Sequence, residues 1–432
     1  MRAGLISADR SILRIAVPAI VTNITTPLLG LVDIAVVGHM RNADPAVAIG
    51  AIAVGASVFN MLYWLFNFLR MGSSGLTAQA VGRADTPARD LVLWRSLAIA
   101  LIASILILAL SPFLGPLLIQ FMDADSSVSE MACRYFAIAV AGAPAVLGVY
   151  AMSGWLLGCQ DSAGAMWIAL TTNVLNILMS LSLVLLLGMG IEGVAIGTAT
   201  AQWGGLCAGA MLIRRHRPGM PPMSVIFRKG GLRPLLKVNS DIFLRTACLV
   251  AVTMWFTRAG ASAGALILAA NALLMQFFML FSYFMDGFAF AGEALGGKLY
   301  GAGDMAGLHA IVRRLLSWGL ALALAAAALY FLAGEWILNL LTKDSAVCHT
   351  ASDYLPWAVT IPLVGFPAFV YDGIFIGMTR TRRMLAAMAV AMTAFFIIFF
   401  LLHDDMGNHA LWLAFCSYLA IRGIAQHMMM HR

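Results

Sequence analysis

Apolar residues fall in long blocks along the whole chain, separated by short polar connections. Twelve blocks are marked, approximately at 12–37, 47–80, 92–118, 129–158, 163–188, 193–213, 236–257, 265–298, 308–341, 350–378, 384–402 and 408–428. A helix needs about 20 apolar residues to cross a bilayer, and each block supplies roughly that length or more. The second and eighth exceed it, which allows tilt or projection beyond the hydrocarbon. The alternating pattern of a membrane β-barrel is absent. The pattern predicts an all-α polytopic membrane protein with twelve transmembrane helices. The first block is not read as a cleavable signal, because it is long, has no small-residue cleavage site, and leads through Asp33 into a second span.

The polar connections support an even count. With twelve spans, 21 of the 27 Lys and Arg collect on one side, Arg422 among them. The opposite side keeps Arg41, Arg258 and Lys343 and holds acids such as Asp123, Glu192, Glu335 and Asp404. Positive charge marks the cytoplasmic face, so both termini are expected in the cytoplasm. Residues 214–235 form a basic, proline-containing stretch (Pro218, Pro221, Pro222, Pro234) at mid-chain. It reads as a linker between two halves, residues 1–213 with spans one to six and 236–432 with spans seven to twelve.

The halves look like repeats. Ser153–Gly158 (SGWLLG) aligns with Asp372–Gly377 (DGIFIG), Tyr135 with Tyr354, and Gly82–Asp85 with Gly301–Asp304, all at an offset of 219. Many transporters are built from such duplications, with the substrate site between the repeats.

Composition agrees. The chain is 62% hydrophobic and 11% charged, against about 25% charged in soluble domains. A net charge of +7 reflects basic cytoplasmic loops rather than nucleic-acid binding. The six cysteines are scattered without CxxC spacing, so neither a zinc nor a disulfide framework is expected. There is no metal-ligand spacing, phosphate-binding glycine loop or catalytic triad. No cofactor and no enzymatic activity are expected.

Charges inside spans are the candidate chemistry, because each costs several kcal/mol, roughly 2.5–3.5 on insertion scales. Asp33 has no Lys, Arg or His within four residues on either side, and it follows Pro18 and Pro27, which can bend the first span. An isolated carboxyl in apolar surroundings can take and release protons near neutral pH; the alternative is a protonated Asp bonded to a neighbour. Asp286 and Asp372 each precede a Gly, which permits close helix approach; a functional carboxylate and an interhelix hydrogen bond both fit. Asp241 with Arg245, and Glu130 with Arg134, read as local i,i+4 pairs. Glu293 is placed near the cytoplasmic end, where water solvates it. Arg70 has no acid in its own span. In the fifth span Thr172, Asn176 and Ser180 form one polar stripe beside Asn173, suited to binding or to helix packing.

With these residues in view, the chain resembles the MATE (multidrug and toxic compound extrusion) transporters, in the branch named after the bacterial DNA-damage-inducible protein F. The carrying stretches include PLLGLVDIAVVGH (27–39), FLRMGSSGLTAQAVG (68–82), NSDIFLR (239–245), DGFAFAGEALGGKLYGAGD (286–304) and DGIFIGMTR (372–380). The resemblance implies a V-shaped pair of six-helix lobes that alternate between outward- and inward-open states, with cation entry driving export of amphipathic, often cationic, compounds. It makes Asp33 the proton-linked carboxylate of the N-lobe. It matches the residues around that carboxylate to Tyr135, Ser153, Asn176, Ser180 and Thr198, which with Asn173 form the expected N-lobe cavity. Ser153 stands where archaeal members have Asn, and Ser180 where they have Asp, so a two-carboxylate N-lobe mechanism does not carry over. Asp286 and Asp372 are the C-lobe candidates for cation or substrate. The mid-span-seven Glu of the sodium-coupled branch has no counterpart between Leu249 and Val252. That favours protons and leaves sodium open.

The expected protein is therefore a monomeric proton-coupled exporter of the bacterial cytoplasmic membrane. Its partners are amphipathic small molecules, protons or sodium, and the lipid bilayer, with Pro18 and Pro27 as hinges. Its rivals are a sodium-coupled exporter, a flippase of lipid-linked precursors, which would need several basic residues in its cleft, and more distantly a membrane-embedded enzyme.

Overall fold

The computed structural model describes residues 2–38, 45–122, 125–228 and 232–430. Within these ranges the side chains of 2–7, 26, 28, 29, 31, 33, 34, 37, 38, 45 and 46 lie outside the description. Among the described residues the secondary structure is helical and no strand occurs. The first half contains α1 (Arg2–Gly38), α2 (Pro45–Trp64), α3 (Phe68–Gly82), α4 (Thr86–Phe121), α5 (Ser126–Ala139), α6 (Ala143–Gly158), α7 (Ser162–Leu181) and α8 (Gly190–Arg214). After a single turn, α9 (Met223–Ile226), come α10 (Arg233–Ser262), α11 (Ala265–Ala291), α12 (Gly297–Gly301), α13 (Met305–Leu341), α14 (Ser345–Gly377), α15 (Thr381–Met406) and α16 (Asn408–Met430).

Short irregular turns join some of these into longer rods. Leu65–Asn67 links α2 to α3 and Val140–Gly142 links α5 to α6, both as 3₁₀ turns; Gly292–Gly296 links α11 to α12 as a π turn. Counted as rods, the described residues make twelve long helical stretches, and each overlaps one expected span. Eight of them are long and apolar enough to cross a membrane by length and composition alone. Two of the others show why they are less apolar: α8 is rich in Gly, Ala and Thr, and α10 opens with Arg233, Lys237, Asp241 and Arg245.

The duplication seen in the sequence recurs in the packing of each half. A Cβ on Gly154 would collide with the backbone carbonyl of Arg70, and one on Gly373 with that of Ala289, the same contact displaced by 219 residues. Gly158 faces the carbonyl of Ser74 as Gly377 faces that of Glu293, and Gly115 packs on Phe136 as Gly334 packs on Leu355, at the same offset. Asp85 caps α4 by accepting from the Ala88 amide at 2.9 Å; Asp304 caps α13 by accepting from Gly307 at 2.8 Å. The turns before these caps pass through positive φ at Ala84 (56°) and Gly303 (74°), and the turns after α6 and α14 at Gln160 (65°) and Thr379 (52°). Side chains differ between halves, but close-approach glycines, caps and turns repeat.

Two compact units emerge from the contacts: Val21–Asn239, and Met1–Ile20 together with Ser240–Arg432. The first twenty residues thus pack with the second half rather than with the half they precede in sequence. Two observations account for it. Asp9 accepts from Arg314 Nε at 2.6 Å and from Trp318 Nε1 at 2.9 Å on α13, and Gly287 of α11 lets the Ala16 carbonyl approach. The unit of residues 21–239 has a core around Tyr135, Phe136, Leu147 and Ile107. The other is centred on Trp412, Phe415, Phe256 and Phe395.

Candidate functional sites

In the unit of residues 21–239, the polar stripe of α7 is buried: Thr172, Asn176 and Ser180 face α8. Small residues on α8 make room for it. A Cβ on Gly197 would lie 2.9 Å from Ser180 Oγ, and one on Gly205 would strike Thr172 Oγ1. Asn176 Nδ2 donates to Thr198 Oγ1 at 3.0 Å, and that hydroxyl donates onward to the Val194 carbonyl at 3.0 Å. Thr172 donates to the Ile168 carbonyl at 2.9 Å. The stripe therefore packs helices and also keeps polar capacity in reserve. Asn173 Nδ2, Asn176 Oδ1 and Ser180 Oγ are buried with no hydrogen-bond partner among the described residues. Buried polar groups are nearly always satisfied, so such a row on one helix is suited to a polar ligand or a protonated group.

Asp33 lies on α1, and its side chain is outside the described residues. Its helical turn is located: Val32, Ala35 and Val36 line an apolar groove with Leu181 and with Leu185 of the π turn Ser182–Leu186. The turn bearing Asp33 thus runs beside the end of α7 that carries Ser180. Pro18 and Pro27 are both inside α1, which continues as helix through them. Tyr135 is buried on α5 with its ring against Gly55. Ser153 is half-buried on α6, next to Gly154 and its close approach to α3. The structure joins Asn176 to Thr198 directly and sets both on the α7–α8 seam. Among the described hydrogen bonds, none links Tyr135 or Ser153 to that pair.

The second site was only half legible. Asp372 on α14 is buried and held on three sides. Arg245 and Arg422 both donate to Oδ2, and Gln426 Nε2 donates to Oδ1 at 2.5 Å. All four residues are at most 8% exposed, so the ionic contacts are buried. Arg422 also lies over the Phe369 ring, 5.8 Å from its centroid. The expected Asp241–Arg245 pair is corrected here: Arg245 turns to Asp372, and Asp241 accepts from Thr381 Oγ1 at 2.7 Å. The already buried guanidinium faces Asp372 across helices in a low-dielectric setting, where the attraction of an opposite charge is stronger than toward the half-exposed Asp241.

Arg422, assigned by sequence to the cytoplasmic charges, is a buried partner instead. The sequence offers a weak signal for it: Arg422 and Gln426 are spaced i,i+4 on one face of α16. Glu293 is likewise corrected. It is 1% exposed, inside the π turn against α14, not solvated at a helix end. The Glu130–Arg134 pair forms as expected, at 2.8 Å on an exposed helix face. Asp286 is half-buried on α11, within electrostatic reach of Tyr283. Among the described residues no group of His, Cys, Asp and Glu has the arrangement of a metal site.

The family model described as MatE matches residues 18–182 and 242–402, one segment in each half. The chain is a member of the MatE family. It is 38% identical over 98% of its length to the DNA damage-inducible protein F of Escherichia coli K12, covering 92% of that protein. Among solved structures, a MOP superfamily transporter from Pyrococcus furiosus, described as having a binding pocket of reverse polarity, superposes with a TM-score of 0.86 at 18% identity, over 98% of this chain and 95% of that one. A multidrug resistance MATE family transporter in an outward-facing conformation superposes at 0.84 and 19% identity, again over 98% and 95%. The fold is that of MATE transporters.

Proposed function

We propose that this MatE protein is a secondary active exporter of amphipathic, often cationic, organic compounds, driven by proton entry through Asp33. The observation that carries the proposal is the row of buried polar atoms on α7, in Asn173, Asn176 and Ser180, that have no hydrogen-bond partner among the described residues and lie beside the turn of α1 that bears Asp33. These atoms give a protonating carboxylate or a polar substrate group something to bond. Ser180 cannot ionise in the physiological range, so Asp33 takes the proton alone, with Tyr135, Ser153 and Thr198 completing the N-lobe cavity.

In this reading Asp33 is ionised in the outward-open state while the cavity holds substrate. Protonation from the outer side removes the charge. Span one then bends at Pro18 or Pro27, where a proline ring already deletes a helix hydrogen bond, and the cavity narrows and expels the substrate. The gradient supplies about 2.3 kcal/mol per charge for each 100 mV. Asp286 and Asp372 stand as C-lobe candidates. A cation entering at Asp372 would have to displace a guanidinium, so coupling is assigned to Asp33. The same reading takes residues 1–213 and 236–432 as lobes joined by the linker 214–235, in a monomer of the bacterial cytoplasmic membrane with both termini inside.

The test is substrate counterflow in proteoliposomes with proton and sodium gradients imposed separately. Export driven by the proton gradient alone supports the reading. Export driven by sodium and indifferent to protons overturns it.

A further inference from the structure

The connection between α8 and α10 is held down at several points on its own unit. The Gly219 amide donates to Asp90 Oδ2 at 2.7 Å, and the Gly219 carbonyl accepts from Trp94 Nε1 at 2.9 Å. Arg95 reaches the carbonyls of Val225 and Ile226 at 3.1 and 3.2 Å. His216 Nε2 lies 2.9 Å from Asp161 Oδ2, whose other oxygen caps α7. A flexible tether would not make these bonds, each spanning 55 residues or more of sequence.

What this strap shows to its surroundings is unusual for a water-facing loop. Ile226 is buried beneath the α9 turn, which turns its neighbours outward: Met223 is 66% exposed and Phe227 46%. Met220 is 72% exposed. Around them Arg214, Arg215, Arg217 and Arg228 are exposed, and residues 214–237 contain no acid. A solvated basic loop would have no reason to display Met and Phe among its arginines. Basic residues interleaved with exposed apolar ones, on a segment that leaves one long helix and enters another, match a membrane interface, where apolar side chains enter the acyl boundary and cations meet headgroups.

We propose that residues 214–228 form an interfacial anchor that binds the anionic headgroups of the cytoplasmic leaflet, with Met220, Met223 and Phe227 inserted among the lipids. The strap fixes the orientation, so the apolar side chains need no separate ordering when they enter. The occupant is anionic lipid on grounds of charge: the exposed ionic groups of the segment are all positive.

Hydrogen–deuterium exchange of residues 220–228 tests this on the whole chain in nanodiscs of phosphatidylcholine with and without phosphatidylglycerol. Exchange is expected to slow at least about fivefold with phosphatidylglycerol, the factor for one basic residue at an anionic surface. The effect should vanish in the variant Arg214→Gln, Arg215→Gln, Arg217→Gln, Arg228→Gln. It should weaken in Met223→Ser, Phe227→Ser. Equal exchange in the two lipids overturns the proposal, and so does a slowing that survives in the four-glutamine variant. All the substituted side chains are exposed, so loss of folding does not enter the comparison.

Discussion

Arg422 donates to the carboxylate of Asp372 across fifty residues of sequence, and both side chains are buried. With Arg245 on the same oxygen, one carboxylate faces two guanidiniums. Removing one member of a buried ionic pair leaves an uncompensated charge and costs about 3–5 kcal/mol. Asp372→Asn strands both guanidiniums and should lower unfolding free energy in detergent by at least that order, whereas Arg422→Leu should cost less, because Arg245 still pairs with Asp372. The double variant Asp372→Asn, Arg422→Leu should lose clearly less than the sum, since it strands Arg245 alone where Asp372→Asn strands two guanidiniums. Strict additivity would mean that the two side chains are not coupled.

The Asn176–Thr198 bond makes a smaller prediction of the same kind. Thr198→Val keeps the volume but strands Asn176 Nδ2, at about 1–3 kcal/mol. Replacing both partners by apolar residues, Asn176→Leu with Thr198→Val, should come closer to wild type in thermal stability than either single change predicts. In the proposed function the double variant still loses substrate counterflow, because Asn176 Oδ1 goes with it.

The repeated glycines can be tested in parallel. Gly154→Ala and Gly373→Ala each push a methyl group into a backbone carbonyl of a neighbouring helix, and overpacking of this kind costs about 1–3 kcal/mol. The two should cost similar amounts, since they occupy one place in a duplicated structure. Gly50→Ala is the control. Its methyl would meet only the Val128 methyl groups at 3.5 Å or more, and Ala is the better helix former, so thermal melts should show no loss.

Asp9 gives a pH dependence. Hydrogen bonds from Arg314 and Trp318 hold its carboxyl below the ordinary carboxylate value. A depressed folded-state pKa stabilises above the unfolded value, about 3.9, and that contribution is lost as pH falls through the folded one. The melting-temperature difference between wild type and Asp9→Asn should be constant from neutral pH down to about pH 5 and shrink below about pH 4. A difference that grows toward acid would contradict the pairing.

Much of the fold was legible because its signals are periodic and local. Apolar blocks of membrane length gave the helices, and the single offset of 219 gave the duplication, which the caps at Asp85 and Asp304 repeat in bond geometry. The stripe of Thr172, Asn176 and Ser180 was legible from i,i+4 spacing. Illegible were partners set by tertiary packing. Local spacing offered Arg245 the nearby Asp241, yet the fold brings Asp372 from 127 residues away. Arg422 was hidden by its place near the chain end, where loop-charge counting absorbed it. The tie of Asp9 to α13 also depends on an encounter 305 residues apart, for which no pattern in the first twenty residues gives a sign.

In the proposed mechanism, proton entry through Asp33 drives export. The direct measurement is uptake of a fluorescent cationic substrate into inverted proteoliposomes under an imposed pH gradient, comparing wild type, Asp33→Asn and Asp372→Asn at matched amounts of folded protein. Asp33→Asn is expected to abolish gradient-driven transport, while the folded fraction of Asp372→Asn keeps its dependence on the gradient. Transport by Asp33→Asn at the wild-type rate would contradict it.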